Sequence, residues 1–140
     1  MARKDAEQVL KAVPLFQGLS RQELREVAAE AREELFSPNQ DIVSEGQAGG
    51  PFFCITEGRA DVIVEGKKVG DLGPGAYFGE MSLFEGGSRS ATVRATTHVK
   101  ALAITSWNFL AILQESWEIT KKVLAELSKR VRDLEHTPDA

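Results

Sequence analysis

Hydrophobic positions change their period twice along this chain. Over residues 5–35 they recur at helical spacing. Val9, Leu10 and Val13 form a short apolar face that stops at Pro14, and Leu24, Val27, Ala28, Ala31 and Leu35 form a second one. Ser20 reads as the N-cap of that second helix, with Glu23 three residues on completing a capping box. From 36 to 104 the pattern becomes short β-rich runs cut by glycine-containing turns: Gly46, Gly49-Gly50, Glu57-Gly58, Glu65-Gly66, Gly73-Pro74-Gly75 and Gly86-Gly87. That spacing suits a small barrel or jelly roll. The segment from Asp61 to Val69 predicts a hairpin with a tight turn, and Val99 to Ile104 predicts a last strand.

Helical spacing returns over residues 106–135. Trp107, Leu110, Ala111 and Gln114 mark one helix, and Ile119, Val123, Leu127, Val131 and Leu134 stripe a longer one. Thr120, Leu124, Leu127, Val131 and Leu134 also make a short heptad seam, expected to pack on the barrel. Trp107 and Trp117 are expected in the core or in grooves. The tail, 136–140, is polar and contains Pro138. The prediction is one α+β domain over 1–140: a β-roll, jelly-roll-like, with N-terminal helices and two C-terminal helices, the last a candidate lid.

Composition narrows the function classes. The 140 residues suit one domain, 42% of them are hydrophobic, and the net charge of −4 gives no basic field for nucleic acid or anionic lipid. Cys54 is the single cysteine and sits in the apolar run Phe52-Phe53-Cys54-Ile55, so it reads as a small core residue. No signal peptide and no run of membrane-span length is present, which makes a cytoplasmic protein the expectation. His98 and His136 follow no metal-ligand spacing, and no serine or cysteine has a nucleophile's context. An enzyme, a metal site and a catalytic residue are therefore not expected.

The candidate chemistry lies in Phe78-Gly79-Glu80-Met81-Ser82-Leu83 and the following Arg89-Ser90-Ala91-Thr92-Val93-Arg94-Ala95. Glycine lets backbone approach a ligand closely, and arginine grips a phosphate through parallel hydrogen bonds. A carboxylate cannot hold a phosphate but can accept from a sugar hydroxyl. One short helical turn after Gly73-Pro74-Gly75 would add N–H groups facing the phosphate. The set reads as a pocket for a small phosphorylated ribose, although a surface ion pair is the ordinary explanation of an arbitrary Glu and Arg at this spacing.

This cassette, residues 78–95, resembles the phosphate-binding cassette of cyclic nucleotide-binding domains. Val13-Pro14-Leu15-Phe16, Ile42-Val43-Ser44-Glu45-Gly46, Phe53-Cys54-Ile55-Thr56-Glu57-Gly58 and Leu72-Gly73-Pro74-Gly75-Ala76-Tyr77-Phe78 extend the resemblance over nearly the whole chain. The resemblance implies a β-roll with flanking helices, Glu80 as acceptor of the ribose 2′-hydroxyl and Arg89 as phosphate clamp. It implies close contacts from Phe78, Gly79, Met81, Ser82, Ser90, Ala91 and Val93. Arg94 and Thr92 read better as strand residues. Arg89-Ser90-Ala91 favours cAMP, with cGMP open because a serine can also meet guanine. The base would be capped from the stretch after Glu115, with Leu134 one candidate and core packing its equal alternative.

The implied protein is a stand-alone sensor whose C-terminal helix moves over bound nucleotide and signals to an unknown effector protein. Met1 and the lack of room for a helix-turn-helix favour that reading. It is expected to be a monomer or weak homodimer with no nucleic acid or membrane partner. The alternative is a degenerate interaction module that works through protein partners without ligand.

Overall fold

The structure, a computed structural model, describes the backbone of residues 3–79 and 87–135, with side chains over 6–79, 87–129 and 131–132. Helix α1 (Arg3–Lys11) is followed by a 3-10 turn (Pro14–Phe16) and helix α2 (Arg21–Ala28). Eight strands come next: β1 (Arg32–Phe36), β2 (Asp41–Val43), β3 (Phe52–Glu57), β4 (Ala60–Val64), β5 (Lys67–Leu72), β6 (Tyr77–Phe78), β7 (Thr92–Ala95) and β8 (Val99–Ile104). Helices α3 (Ser106–Glu115) and α4 (Trp117–Glu135) complete the described chain.

Two antiparallel four-stranded sheets, ordered β1-β8-β3-β6 and β2-β7-β4-β5, form the β-roll expected of an α+β chain. The strand pattern explains how they layer. Alternate residues of a strand face opposite sides, and β3 is apolar at every one of its first four positions. Phe53 and Ile55 pack between the sheets with Val43, Val93, Val99, Ala101 and Ala103. Phe52 and Cys54 turn the other way and join Leu102 and Ile104 of β8 under the helices. Strands β3 and β8 therefore serve two cores at once, and Cys54, 1% exposed, is a core residue.

Phe16 centres the helix-side core. Its ring lies 6.1 Å from Phe52 and 5.8 Å from Phe109. The capping box starts α2 as the sequence predicts: Ser20 N–H donates to Glu23 Oε1 at 2.8 Å and Glu23 N–H donates to Ser20 Oγ at 3.2 Å. Glu23 also holds Lys122 Nζ of α4 at 2.6 Å. With Ile119 and Val123 fully buried, that contact seats the first half of α4 on the N-terminal helices.

Three expectations need correction. Leu35 does not continue a helix: α2 ends at Ala28, and Leu35 stands in β1, paired with Lys100 and 69% exposed. Its helical spacing from Ala31 is coincidental, because the turn at residues 29–31 resets the period. Trp107 and Trp117 are not core residues, being 81% and 65% exposed. Helix α3 is apolar on two faces, and it buries Phe109 with Ile112 and Leu113 against the core rather than the Trp107 face. The heptad seam packs only in part: Leu127 lies against the helix-side core, whereas Leu124 and Val131 are each 53% exposed. Helix α4 turns Ile119 and Val123 inward instead.

The two anchors give measurable consequences. Replacing Phe16 by Ala should cost about 3–5 kcal/mol, the scale for losing a buried aromatic ring, read as a lowered urea midpoint. Glu23 titrates below the ordinary glutamate value, because it accepts from Lys122 and from the Ser20 backbone, with burial opposing. A depressed carboxyl contributes stability above its unfolded-state value and loses it as pH falls through the folded one. Glu23→Gln should therefore destabilise the protein at pH 7, and its gap from wild type should close on acidification below about pH 4.3. An equal gap at both pH values in urea titrations would refute that role.

Candidate functional site

A cavity of about 330 Å³ opens on the β-roll, lined by Val43 of β2, Val62 of β4, Leu72 of β5, Phe78, Gly79, Ser88, Arg89, Ser90, Ala91 and Val93. Each wall follows from local structure. Phe78, at the end of the short strand β6, is fixed by stacking on Phe53 with ring centroids 5.3 Å apart. Gly79 follows it at φ +80°, a left-handed conformation that side chains resist. Val93 faces the core between the sheets, while Arg94 points outward and donates to Asp41 Oδ1 at 2.7 Å. Thr92 Oγ1 accepts from Glu45 N–H at 2.9 Å.

Arg89 dominates the electrostatics. It is 7% exposed and is the buried charged side chain among the described residues. Its backbone is pinned by a short pairing with the β2–β3 loop: Arg89 N–H donates to Gln47 O at 2.8 Å and Gly46 N–H donates to Arg89 O at 2.9 Å. Nη2 donates to the Pro51 carbonyl. Nε is buried and has no hydrogen-bond partner among the described residues. Burial, with no pairing carboxylate among the described residues, pushes the guanidinium pKa down from its ordinary value. Among the described residues a cation so placed is short of acceptors, and an anion entering the cavity would supply them.

The structure brings together Phe78, Gly79, Arg89, Ser90, Ala91 and Val93 around this cavity. Glu80, Met81 and Ser82, with the helical turn expected there, lie outside the described residues. Leu134 falls in α4, but its side chain also lies outside them. Sequence reasoning missed Val43, Val62, Leu72 and Ser88 as lining residues, along with Gly50 and Pro51 behind the arginine. The strand residues carry no signal that separates a cavity wall from ordinary core. Gly49-Gly50-Pro51 was visible only as a turn.

Among the described residues no helix is long and apolar enough to cross a membrane. Nor does any group of three or more His, Cys, Asp or Glu suited to a metal ion occur there.

The comparisons agree with this geometry. The chain is 37% identical over 116 residues to a cyclic nucleotide-gated potassium channel of Rhizobium etli, covering 83% of this chain and 32% of the channel. It is 32% identical over 107 residues to the human potassium/sodium hyperpolarization-activated cyclic nucleotide-gated channel 4, covering 76% of this chain and 9% of the channel. The chain thus spans a third or less of these relatives. Among solved structures, the N-terminal domain of a transcriptional regulator from Streptomyces coelicolor A3(2) superposes with TM-score 0.84 at 28% identity, covering 91% of this chain and 93% of that one. The Thermus thermophilus catabolite activator protein gives 0.71 at 27% identity, covering 88% and 60%. The family model for the cyclic nucleotide-binding domain matches residues 33–116, which hold all eight strands but the first residue of β1, the cavity and the buried arginine. By its sequence, its β-roll and its cassette alike, the chain belongs to the cyclic nucleotide-binding domain family.

Proposed function

We propose that this cavity binds a cyclic nucleoside monophosphate, with cAMP the favoured ligand, and that binding draws the distal part of α4 over the base. The observation that carries the reading is Arg89: a buried cation whose Nε has no hydrogen-bond partner among the described residues, beside a cavity of nucleotide size. Arg89 would receive the cyclic phosphate, with Ser90 and the Gly79 and Ala91 backbone close by. Glu80 would accept from the ribose 2′-hydroxyl, a role that rests on the cassette sequence. Val43, Val62 and Leu72 offer an apolar wall for the base. Arg89-Ser90-Ala91 supports cAMP over cGMP, and the exposed Ser90 is the residue to watch for guanine.

The described lining holds two serines and one arginine among its polar side chains, with no carboxylate, histidine or cysteine. That supports a binding site rather than a catalytic one. The domain would act as a regulatory sensor, its state read by an effector protein. A ligand shifts such an equilibrium only by its differential affinity for the two states. Here the two halves of α4 differ. Ile119 and Val123 are buried and Lys122 is tied to Glu23, whereas Val131 is 53% exposed. The first half is a fixed base, and the second is the part that the ligand would recruit.

A second reading, a module that meets partners without ligand, draws on one observation: Trp107 and Trp117 stand 81% and 65% exposed on the C-terminal helices. Calorimetry separates the two. Wild type should bind cAMP saturably and more tightly than cGMP, and Arg89→Ala should weaken binding by about ten- to hundred-fold, the 1.5–3 kcal/mol scale of a charged hydrogen bond. No heat with either nucleotide, on folded and nucleotide-free protein, would favour the partner-only module. In hydrogen exchange with and without cAMP, amides of residues 127–135 should gain protection while those of 119–124 stay unchanged. Uniform protection along α4 would count against a fixed base.

A further inference from the structure

The guanidinium of Arg89 is held by more than its own segment of chain. Gly50 has φ +110°, and a Cβ built on it would lie 2.6 Å from Nη2 and 3.4 Å from both Cζ and Nε. On the other side, a Cβ on Gly79 would overlap Nη1 and sit 3.3 Å from Cζ. The group therefore occupies space that exists only because both neighbours are glycine. The next residue after Gly50 contributes the carbonyl of Pro51 that accepts from Nη2. The loop carrying Gly50 is itself tied to the segment before β7 that carries the arginine, through Gly49 N–H to Gly87 O at 3.1 Å and Arg89 N–H to Gln47 O at 2.8 Å.

Building on the cyclic nucleotide reading of the cavity, we infer that Gly50 and the Pro51 carbonyl are positioning elements. They fix the Arg89 guanidinium in the orientation that meets the ligand phosphate, although neither is among the residues lining the cavity. Nη2 is committed to Pro51, which sets the plane of the fork and leaves Nε as a donor without an acceptor among the described residues. A methyl at position 50 would push Nη2 away from Pro51 and turn that plane. The β2–β3 loop then governs affinity through the arginine rather than by touching nucleotide.

The test is a double-mutant cycle in which cAMP affinity is measured by calorimetry on wild type, Gly50→Ala, Arg89→Ala and the double variant. Gly66→Ala controls for backbone strain. Gly66 has φ +79° with open space around its Cβ position, in the β4–β5 hairpin. Gly50→Ala should weaken cAMP binding at least tenfold, and the same change in the Arg89→Ala background should alter it less than twofold. Gly66→Ala should also alter it less than twofold. Losses that multiply in the double variant would overturn the inference, since Gly50 would then act independently of Arg89.

A wild type that binds neither cAMP nor cGMP would instead overturn the reading of the cavity, and the role of Gly50 with it. Nitrogen-15 spectra of the wild type need no variant to fold. A resolved, slowly exchanging Arg89 Nε–H supports a held guanidinium, and a signal averaged with those of the surface arginines refutes it.

Discussion

A buried cation must be satisfied by its surroundings, and this constraint organises the β-roll around Arg89. Isolating a charge from water is expensive unless hydrogen bonds or counter-charge replace the lost solvation. The described protein offers one acceptor, the Pro51 carbonyl, and two glycine surfaces. Everything nearby serves to keep that arrangement intact. The β2–β3 loop pairs with the segment that carries the arginine, Phe78 is fixed by its stack on Phe53, and Val93 closes the inter-sheet core beneath.

The rest of the architecture separates the stiff from the movable. Strands β3 and β8 are apolar on both faces, so they bond the two sheets to each other and to the helical layer. The helical layer is pinned at Glu23, which caps α2 and pairs with Lys122 of α4. Beyond Leu127, the described side chains of α4, such as Val131, are exposed. On the proposed reading, a signal that starts at the cassette would have a rigid body to push against and one helix end to move.

Much of this was legible in the sequence because the relevant chemistry is local. The capping box at Ser20 and Glu23, the hairpin turn at Glu65-Gly66 and the run from Arg89 to Ala95 each depend on residues a few positions apart. The β-roll could be read from short runs and glycine turns. What escaped depends on distance along the chain. Pro51 meets Arg89 across 38 positions, and nothing in Gly49-Gly50-Pro51 announces that partner. Val43, Val62 and Leu72 look like any strand residue until the sheets are placed around a cavity. The tryptophans were misplaced for a related reason. A helix with two apolar faces does not say which one the core takes, and α3 buries Phe109 rather than Trp107.

The hold on Arg89 also bears on the rotational freedom of its side chain. An arginine loses up to about 2 kcal/mol of rotamer entropy when it is fixed in one geometry. Here folding has already fixed it, through the Pro51 carbonyl and the two glycine surfaces. On the proposed reading, a phosphate arriving at the cavity would meet a fork that has no conformational search left to make, and the ordering cost would fall on the stability of the domain instead of on the affinity for its ligand.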